Sequence, residues 1–216
     1  YSEKVLLSNY LPMYFYKPKI TFSLKKEDIL SKNIYSCPQS LFKMHPSFDE
    51  VIKKILIKDK KAKIIFIKDR KEILSKMFFD RLKKKIPENL DRINFIDRLT
   101  PEEFIHHCGR ASVLLDPFWF GSGNTFHESM LYGTPTVTMP TKYLKSRIVT
   151  GAYKQMQIED APIFNNVDDY VDKSIELANQ KNIDLKIHYK EQAEKYLFEN
   201  PNAISDLENI FKSLVN

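Results

Sequence analysis

Cysteine is scarce in this sequence, with only Cys37 and Cys108 among 216 residues. Two thiols are too few for a disulfide framework, and they form no metal-ligand spacing. A chain of this length does not need such a staple. It buries roughly 70% of the surface its unfolded form exposes, enough for one large α/β domain or one domain with an appendage. Long apolar runs are lacking too: none approaches the roughly 18 residues that span a bilayer, so no membrane partner is expected. The opening Tyr1-Ser2-Glu3-Lys4 has none of the basic-then-apolar character of a secretion signal. These absences together predict a cytoplasmic protein with both thiols reduced. The sequence also lacks an initiator methionine, and the expectation is a piece of a longer chain.

Acidic charge is in mild deficit, 28 Asp and Glu against 34 Lys and Arg, for a net +6. The lysines cluster at Lys58, Lys60, Lys61 and Lys63 and again at Lys83, Lys84 and Lys85. Basic patches can bind phosphate backbones. These clusters, however, fall at the ends of expected helices and in the loops that follow, where lysine opposes the helix dipole, and no stacking aromatics interleave with them. Nucleic acid is therefore not an expected partner. His45, His106, His107, His127 and His188 give no metal spacing, and the adjacent His106 and His107 point in different directions on a helix.

What is present from Ile34 onward is alternation: short β-rich runs separated by amphipathic stretches, the pattern of βαβ units and a parallel sheet. The strand candidates are Ile34–Cys37, Lys63–Lys68, Ile93–Asp97, Ser112–Asp116 and Pro135–Met139. The unbroken apolar runs at residues 64–67 and 113–115 suit strands covered on both faces. Helices are predicted over Phe48–Lys58, Lys71–Lys85 and Pro101–Gly109. The last of these opens with Thr100 as N-cap, Pro101 at the first position and Glu103 as capping-box partner. Further helices are expected near Tyr143–Met156, Val167–Gln180, Lys186–Phe198 and Ala203–Val215. Residues 1–33, rich in aromatics and without a clear period, read as a segment that crosses between lobes or packs on something absent. Residues 34–199 then form the main lobe, and 200–216 a C-terminal helix packing back on it.

The stretch richest in chemistry runs from Leu115 to Glu128. A hydrophobic strand ends at Asp116, a loop with Gly121 and Gly123 follows, and a helix opens near Asn124 or Thr125. Glycines let backbone approach a ligand, and free N–H groups at a helix start attract anions, a construction suited to a diphosphate. The dinucleotide pattern is not met, because the third glycine and its partner acid are lacking, which disfavours a nicotinamide enzyme. Glu128 has two readings: the capping partner of Thr125, or an acceptor for a ribose diol. Asp116 reads as a strand-end residue more than a base. Arg147 either orients the loop before it or reaches a phosphate. Gly133 supplies a left-handed helix stop ahead of Pro135.

The string GSGNTFHESMLYGTPTVTMPTKYLKSRI strongly resembles the C-terminal catalytic lobe of the O-GlcNAc transferase/SPINDLY glycosyltransferases. YSCPQSLFKMHPSFDEVIKKIL, residues 35–56, resembles that lobe's opening strand, loop and helix, and YSEKVLLSNYLPMYFYKP the join between its lobes. The resemblance covers residues 35–162 or so, with several motifs in the right order. It implies a GT-B architecture, with this chain as a Rossmann-like C-terminal lobe. It also implies transfer of a sugar, GlcNAc foremost, from a UDP-sugar to protein Ser/Thr hydroxyls. Mapped residue by residue, Gln39 and Lys43 would meet the donor diphosphate, with Lys43 as the catalytic cation on the leaving group. Gly123, Asn124 and Thr125 would donate to the phosphates, and Glu128 would hold the ribose. The turn containing Leu99 would read the base, with Phe104 against the nucleoside. The resemblance implies no metal or other cofactor, and an N-terminal lobe supplying the acceptor side, so that this chain alone binds a donor without turning it over. Phe104 and Gly123 stand where animal relatives have histidines, and Pro101 and His107 where they have basic residues. Some relatives use GDP-fucose. The rival reading is a non-catalytic module that keeps the lobe's fold for nucleotide binding or protein interaction.

Overall fold

Five parallel strands organise the computed structural model, which describes residues 5–20, 33–180 and 183–215. They are β1 (Ile34–Cys37), β2 (Lys63–Ile67), β3 (Ile93–Ile96), β4 (Val113–Leu115) and β5 (Thr136–Val137). Each falls inside the β-rich run that predicts it. The order across the sheet is β3-β2-β1-β4-β5, all parallel. The chain thus winds outward from β1 to β3, then returns to lay β4 on the other side of β1. That reversal opens a crevice beyond the carboxyl ends of β1 and β4, the position at which open α/β sheets hold ligands.

Four helices connect the strands: α1 (Asp49–Lys58), α2 (Glu72–Lys85), α3 (Pro101–Arg110) and α4 (Asn124–Met130). Beyond the sheet follow α5 (Ile148–Gln155), α6 (Val167–Gln180), α7 (Ile183–Tyr196) and α8 (Pro201–Val215). Period-2 alternation decides which side of the sheet each strand residue serves. Tyr35, Cys37, Ile64, Phe66, Val113 and Leu115 join one core with Ile52, Leu82 and Val171 of α1, α2 and α6. Leu114 turns the other way, against Cys108 and Ala111 at the end of α3. All three residues of β4 are buried, as its unbroken apolar run requires. A further cluster joins Phe126 and Met130 of α4 to Tyr153 of α5 and Tyr189 of α7. Tyr153 closes the edge of β5: its hydroxyl accepts from the Thr136 N–H at 2.8 Å and donates to the Thr136 carbonyl at 3.1 Å.

The local signals around α3 are realised in full. Thr100 Oγ1 accepts from the Glu103 N–H while Glu103 Oε2 accepts from the Thr100 N–H at 2.8 Å. Lys58 falls in the last turn of α1 and Lys83, Lys84 and Lys85 in that of α2, as the dipole argument expects, while Lys60 and Lys61 follow α1 in the loop and Lys63 opens β2. One expected helix is broken. Tyr143–Met156 divides into a 3₁₀ turn at Leu144–Ser146 and the helix α5, which starts only at Ile148. The cause is Ser146, whose hydroxyl binds the Thr141 N–H and the Tyr143 carbonyl and so offers the backbone an alternative to the helix.

Of the segment 1–33, residues 1–4 and 21–32 lie outside the described residues. Its described part packs on the same lobe: the Leu11 N–H donates to Gln155 Oε1 at 2.9 Å, and Phe15 stacks on His127 with centroids 4.6 Å apart. Asp206 of α8 accepts from Ser8 Oγ at 2.6 Å and the Asn9 N–H at 2.7 Å. Ala203 is the one buried residue of α8 among those described.

Candidate functional site

Strands β1 and β4 are far apart in sequence but neighbours in the sheet, so the loops that leave their carboxyl ends meet. After β1 the chain makes a 3₁₀ turn at Leu41–Lys43, which buries Leu41 and swings Lys43 across the loop that follows β4. The Lys43 ammonium donates to Gln39 Oε1 at 2.8 Å and to the Gly121 carbonyl at 3.0 Å, and it lies 4.4 Å from the centre of the Phe120 ring. Gln39 Nε2 donates to Ser122 Oγ at 2.9 Å, closing the link between the two loops.

Underneath, Asp116 acts as a clamp. Its Oδ1 accepts from the Ser122 N–H at 2.6 Å, its Oδ2 accepts from the Thr138 hydroxyl at 2.7 Å, and its backbone carbonyl accepts from Tyr170 at 3.2 Å. A Cβ at position 121 would lie 2.8 Å from Asp116 Oδ2, so the loop curls this tightly only with glycine there. The reading of Asp116 as structural fits this geometry: it is enclosed, with both oxygens already hydrogen-bonded inside the protein. The extent of the clamp was the part that sequence reasoning missed. Its signal was a carboxylate ending an all-apolar strand directly before a glycine-bearing loop.

Burial sets the electrostatics. It pushes the Asp116 carboxyl up to about 6, against the opposing pull of its hydrogen bonds from Thr138 and Ser122 and of the Lys43 charge. It lowers the pKa of Lys43, and the nearby Asp116 charge works the other way. The Asp116 shift has a measurable consequence. Between about pH 4 and 6 the folded chain keeps a proton that the unfolded chain, titrating near 3.8, has released. Stability from this group is therefore greatest below pH 4 and is lost as pH rises through 6. A rise from 3.8 to about 6 corresponds to about 3 kcal/mol. Asp116→Asn can keep both contacts, with its amide oxygen on the Ser122 N–H and its amide nitrogen toward Thr138. Urea unfolding at pH 4.5, 6 and 7.5 should show the slope in the parent and its loss in Asp116→Asn. Parallel pH profiles would rule the buried charge out.

Gln39, Lys43, Leu99, Phe104 and Thr125, chosen from sequence, line one cleft of about 230 Å³ at the carboxyl ends of the strands. Gly123, Asn124 and Glu128 do not line it but sit on the adjoining start of α4. Gly123 is the N-cap, Asn124 opens the helix, and Glu128 lies one turn further in. Thr125 is thus already the second helical residue, and no side chain caps α4. This overturns the capping-box reading of Thr125 and Glu128. The Glu128 carboxylate has no hydrogen-bond partner among the described residues, and burial raises its pKa. Arg147 orients its loop, with Nε donating to the Thr141 carbonyl at 2.7 Å. His107 is tied to Ser36 Oγ at 2.7 Å, and His127 lies 3.2 Å from the Gly123 carbonyl. Among the described residues no group of three or more His, Cys, Asp or Glu is placed to hold a metal, and no helix is long and apolar enough to cross a membrane.

No protein-family model matches the chain, and no curated protein matches it in sequence. Solved structures match it in shape. A mutant O-GlcNAc transferase of Thermobaculum terrenum aligns with a TM-score of 0.72 at 15% identity, over 83% of this chain and 35% of its own. A TarM mutant from S. aureus, solved in a complex that includes UDP, aligns with a TM-score of 0.57 at 16% identity, over 92% of this chain and 38% of its own. Sucrose-phosphate synthase of Thermosynechococcus elongatus gives a TM-score of 0.63 at 10% identity, over 96% of this chain and 51% of its own. The chain spans roughly a third to a half of each of these. At such identities the likeness is one of fold, and the fold is a Rossmann-like lobe of the GT-B glycosyltransferase kind.

Proposed function

We propose that this chain is the donor-binding lobe of a GT-B glycosyltransferase that moves a sugar, GlcNAc foremost, from a UDP-sugar to serine or threonine hydroxyls of proteins. One observation carries the reading: the cleft beyond β1 and β4 holds a half-buried lysine that no carboxylate among the described residues neutralises by a direct ion pair. Lys43 spends its hydrogen bonds on two neutral oxygens, so its charge is available to an anion entering the cleft. The first N–H groups of α4 have no helical partner, as at any helix start, and Thr125 brings them to the rim of the same cleft. A diphosphate needs this combination of a cation and converging amide donors.

In the transfer step the bond between the anomeric carbon and the β-phosphate oxygen breaks, and negative charge collects on the departing diphosphate. Lys43 neutralises that charge where it develops, which lowers the barrier because the contact strengthens along the reaction. Gln39 positions the ammonium. The backbone at Leu99 and the ring of Phe104 take the base, Asn124 and Thr125 the phosphates, and Glu128 the ribose. The acceptor, its general base and the partner lobe lie outside this chain. UDP as the leaving group rests on the family resemblance and on TarM, whose structure includes UDP.

Calorimetric titration with UDP, and with uridine beside it, tests the reading directly. UDP should bind at least about tenfold tighter than uridine, the effect of one or two charge-assisted contacts to the diphosphate. Equal binding of the two, or none by a folded chain, would sink it and leave the non-catalytic interaction module as the better account.

A further inference from the structure

Strands β2 and β3 run parallel in a register that pairs Ile67 with Ile96. One step further, Lys68 Nζ meets Asp97 Oδ1 at 2.7 Å on the exposed rim, and these two charges satisfy each other. A further step brings Asp69 and Arg98, which leave neighbouring strands of opposite charge and line the same cleft as Lys43. Asp69 is fixed in place. Its N–H donates to Ser75 Oγ at 3.0 Å, and its Oδ1 accepts from the Lys71 N–H at 3.1 Å. Among the described residues neither its Oδ2 nor the Arg98 guanidinium makes a hydrogen bond or ion pair. Ile67, Leu99 and Phe104 add apolar surface to the lining of the same cleft. An acid in a pocket built for an anion needs an account of its own.

We infer that Asp69 and Arg98 select the base of the nucleotide by reading a lactam edge, an N–H beside a C=O, while Phe104 and its apolar neighbours hold the ring face. This rests on the cleft being a nucleotide site. The carboxylate accepts from the ring N–H and the guanidinium donates to the carbonyl. Uracil offers that edge at N3 and O4, and guanine offers it at N1 and O6. Cytosine and adenine present the reverse, a ring lone pair beside an amino group. They would set lone pair against Asp69 and amino group against Arg98. A site that hydrogen-bonds one edge rejects the other strongly, because its polar groups are then left unpaired.

The test is titration of the chain with UDP, GDP, CDP and ADP, repeated with Asp69→Asn and Arg98→Gln. All four ligands carry the same diphosphate, so only the base varies. UDP or GDP should bind at least about tenfold tighter than CDP and ADP, and the UDP-to-GDP ratio shows which ring the slot fits. Asp69→Asn keeps the Lys71 N–H contact through its amide oxygen, so the loop should hold its shape, as an unchanged melting curve would show. It should weaken the favoured nucleotide about tenfold or more and leave CDP and ADP unchanged or tighter. Arg98→Gln should weaken the favoured nucleotide alone. Four nucleotides bound within threefold of one another, or a preference that survives both substitutions, would overturn the inference and leave the nucleotide site standing. If none binds, the nucleotide site itself is refuted, and this inference with it.

Discussion

Lys43→Ala should weaken UDP binding about 10- to 100-fold and leave uridine binding unchanged, since a hydrogen bond to a charged group is worth about 1.5–3 kcal/mol. The expectation follows from how the ammonium is held. Its two acceptors, Gln39 Oε1 and the Gly121 carbonyl, are neutral, and the Phe120 ring lies 4.4 Å away. These contacts position the charge without cancelling it. Burial lowers the pKa of Lys43, and an arriving diphosphate would raise it again. Binding should therefore take up protons at alkaline pH. UDP affinity should fall as pH rises through the lowered pKa of Lys43, earlier than for an ordinary lysine. Calorimetry in buffers of different ionisation enthalpy would read that uptake. A structural role for Lys43 would instead reduce UDP and uridine binding together and lower the melting temperature. In a complete enzyme containing this lobe, the same substitution should slow transfer about a hundredfold or more, the scale of losing a donor to developing transition-state charge. Unchanged UDP affinity in Lys43→Ala would remove the residue from the site.

Much of this arrangement is legible in the sequence because it depends on signals that act locally. Apolar run lengths place the five strands, and Thr100, Pro101 and Glu103 fix the start of α3 within the span of a single turn. Gln39, Lys43, Leu99, Phe104 and Thr125 come together because each follows or flanks the end of a strand, and a parallel sheet delivers every such end to one side. What was not legible depends on partners distant in sequence. Asp116 looks like a strand-end acid until Thr138 and Tyr170 are seen to close around it. The spacing from Thr125 to Glu128 imitates a capping box, but helix α4 begins at Asn124 behind Gly123, so the sequence match falls two residues out of place. Ser146 breaks an otherwise helical stretch through hydrogen bonds that no hydropathy pattern records. Asp69 carries no motif, and Arg98 belongs to the turn that the resemblance assigns to the base only through its backbone. Only the register of β2 against β3 delivers both to the lining of one cleft.

Gly133→Ala should cost more than about 4 kcal/mol, an exceptional loss for one methyl group. Two effects combine. Gly133 has φ 63°, a left-handed conformation that suits glycine and strains any residue with a Cβ. The added carbon would also fall 1.8 Å from the Lys186 carbonyl oxygen and 2.8 Å from the Lys190 backbone nitrogen, both in α7. Those atoms are main chain and cannot rotate aside, so α7 itself must move. Lys186 resists that movement. Its buried ammonium donates to the Gly109 and Ala111 carbonyls at 2.8 Å each and to Thr134 Oγ1 at 3.3 Å, tying α7 to the end of α3 and to the turn. Burial pushes this lysine down to about 7, so displacement would strand a costly group. The other glycines provide the control. At Gly121 a Cβ would press on the hydrogen-bonded Asp116 carboxyl, which is side chain and not main chain, and at Gly123 it would find nothing closer than Ile148 at 4.0 Å. Alanine should therefore be tolerated best at 123, worse at 121 and worst at 133. At about 2–4 °C of melting temperature per kcal/mol for a chain of this size, Gly133→Ala should melt roughly 8–16 °C or more below the parent. Equal losses at all three positions would mean that α7 is free to retreat, and that the Lys186 tether does not hold it.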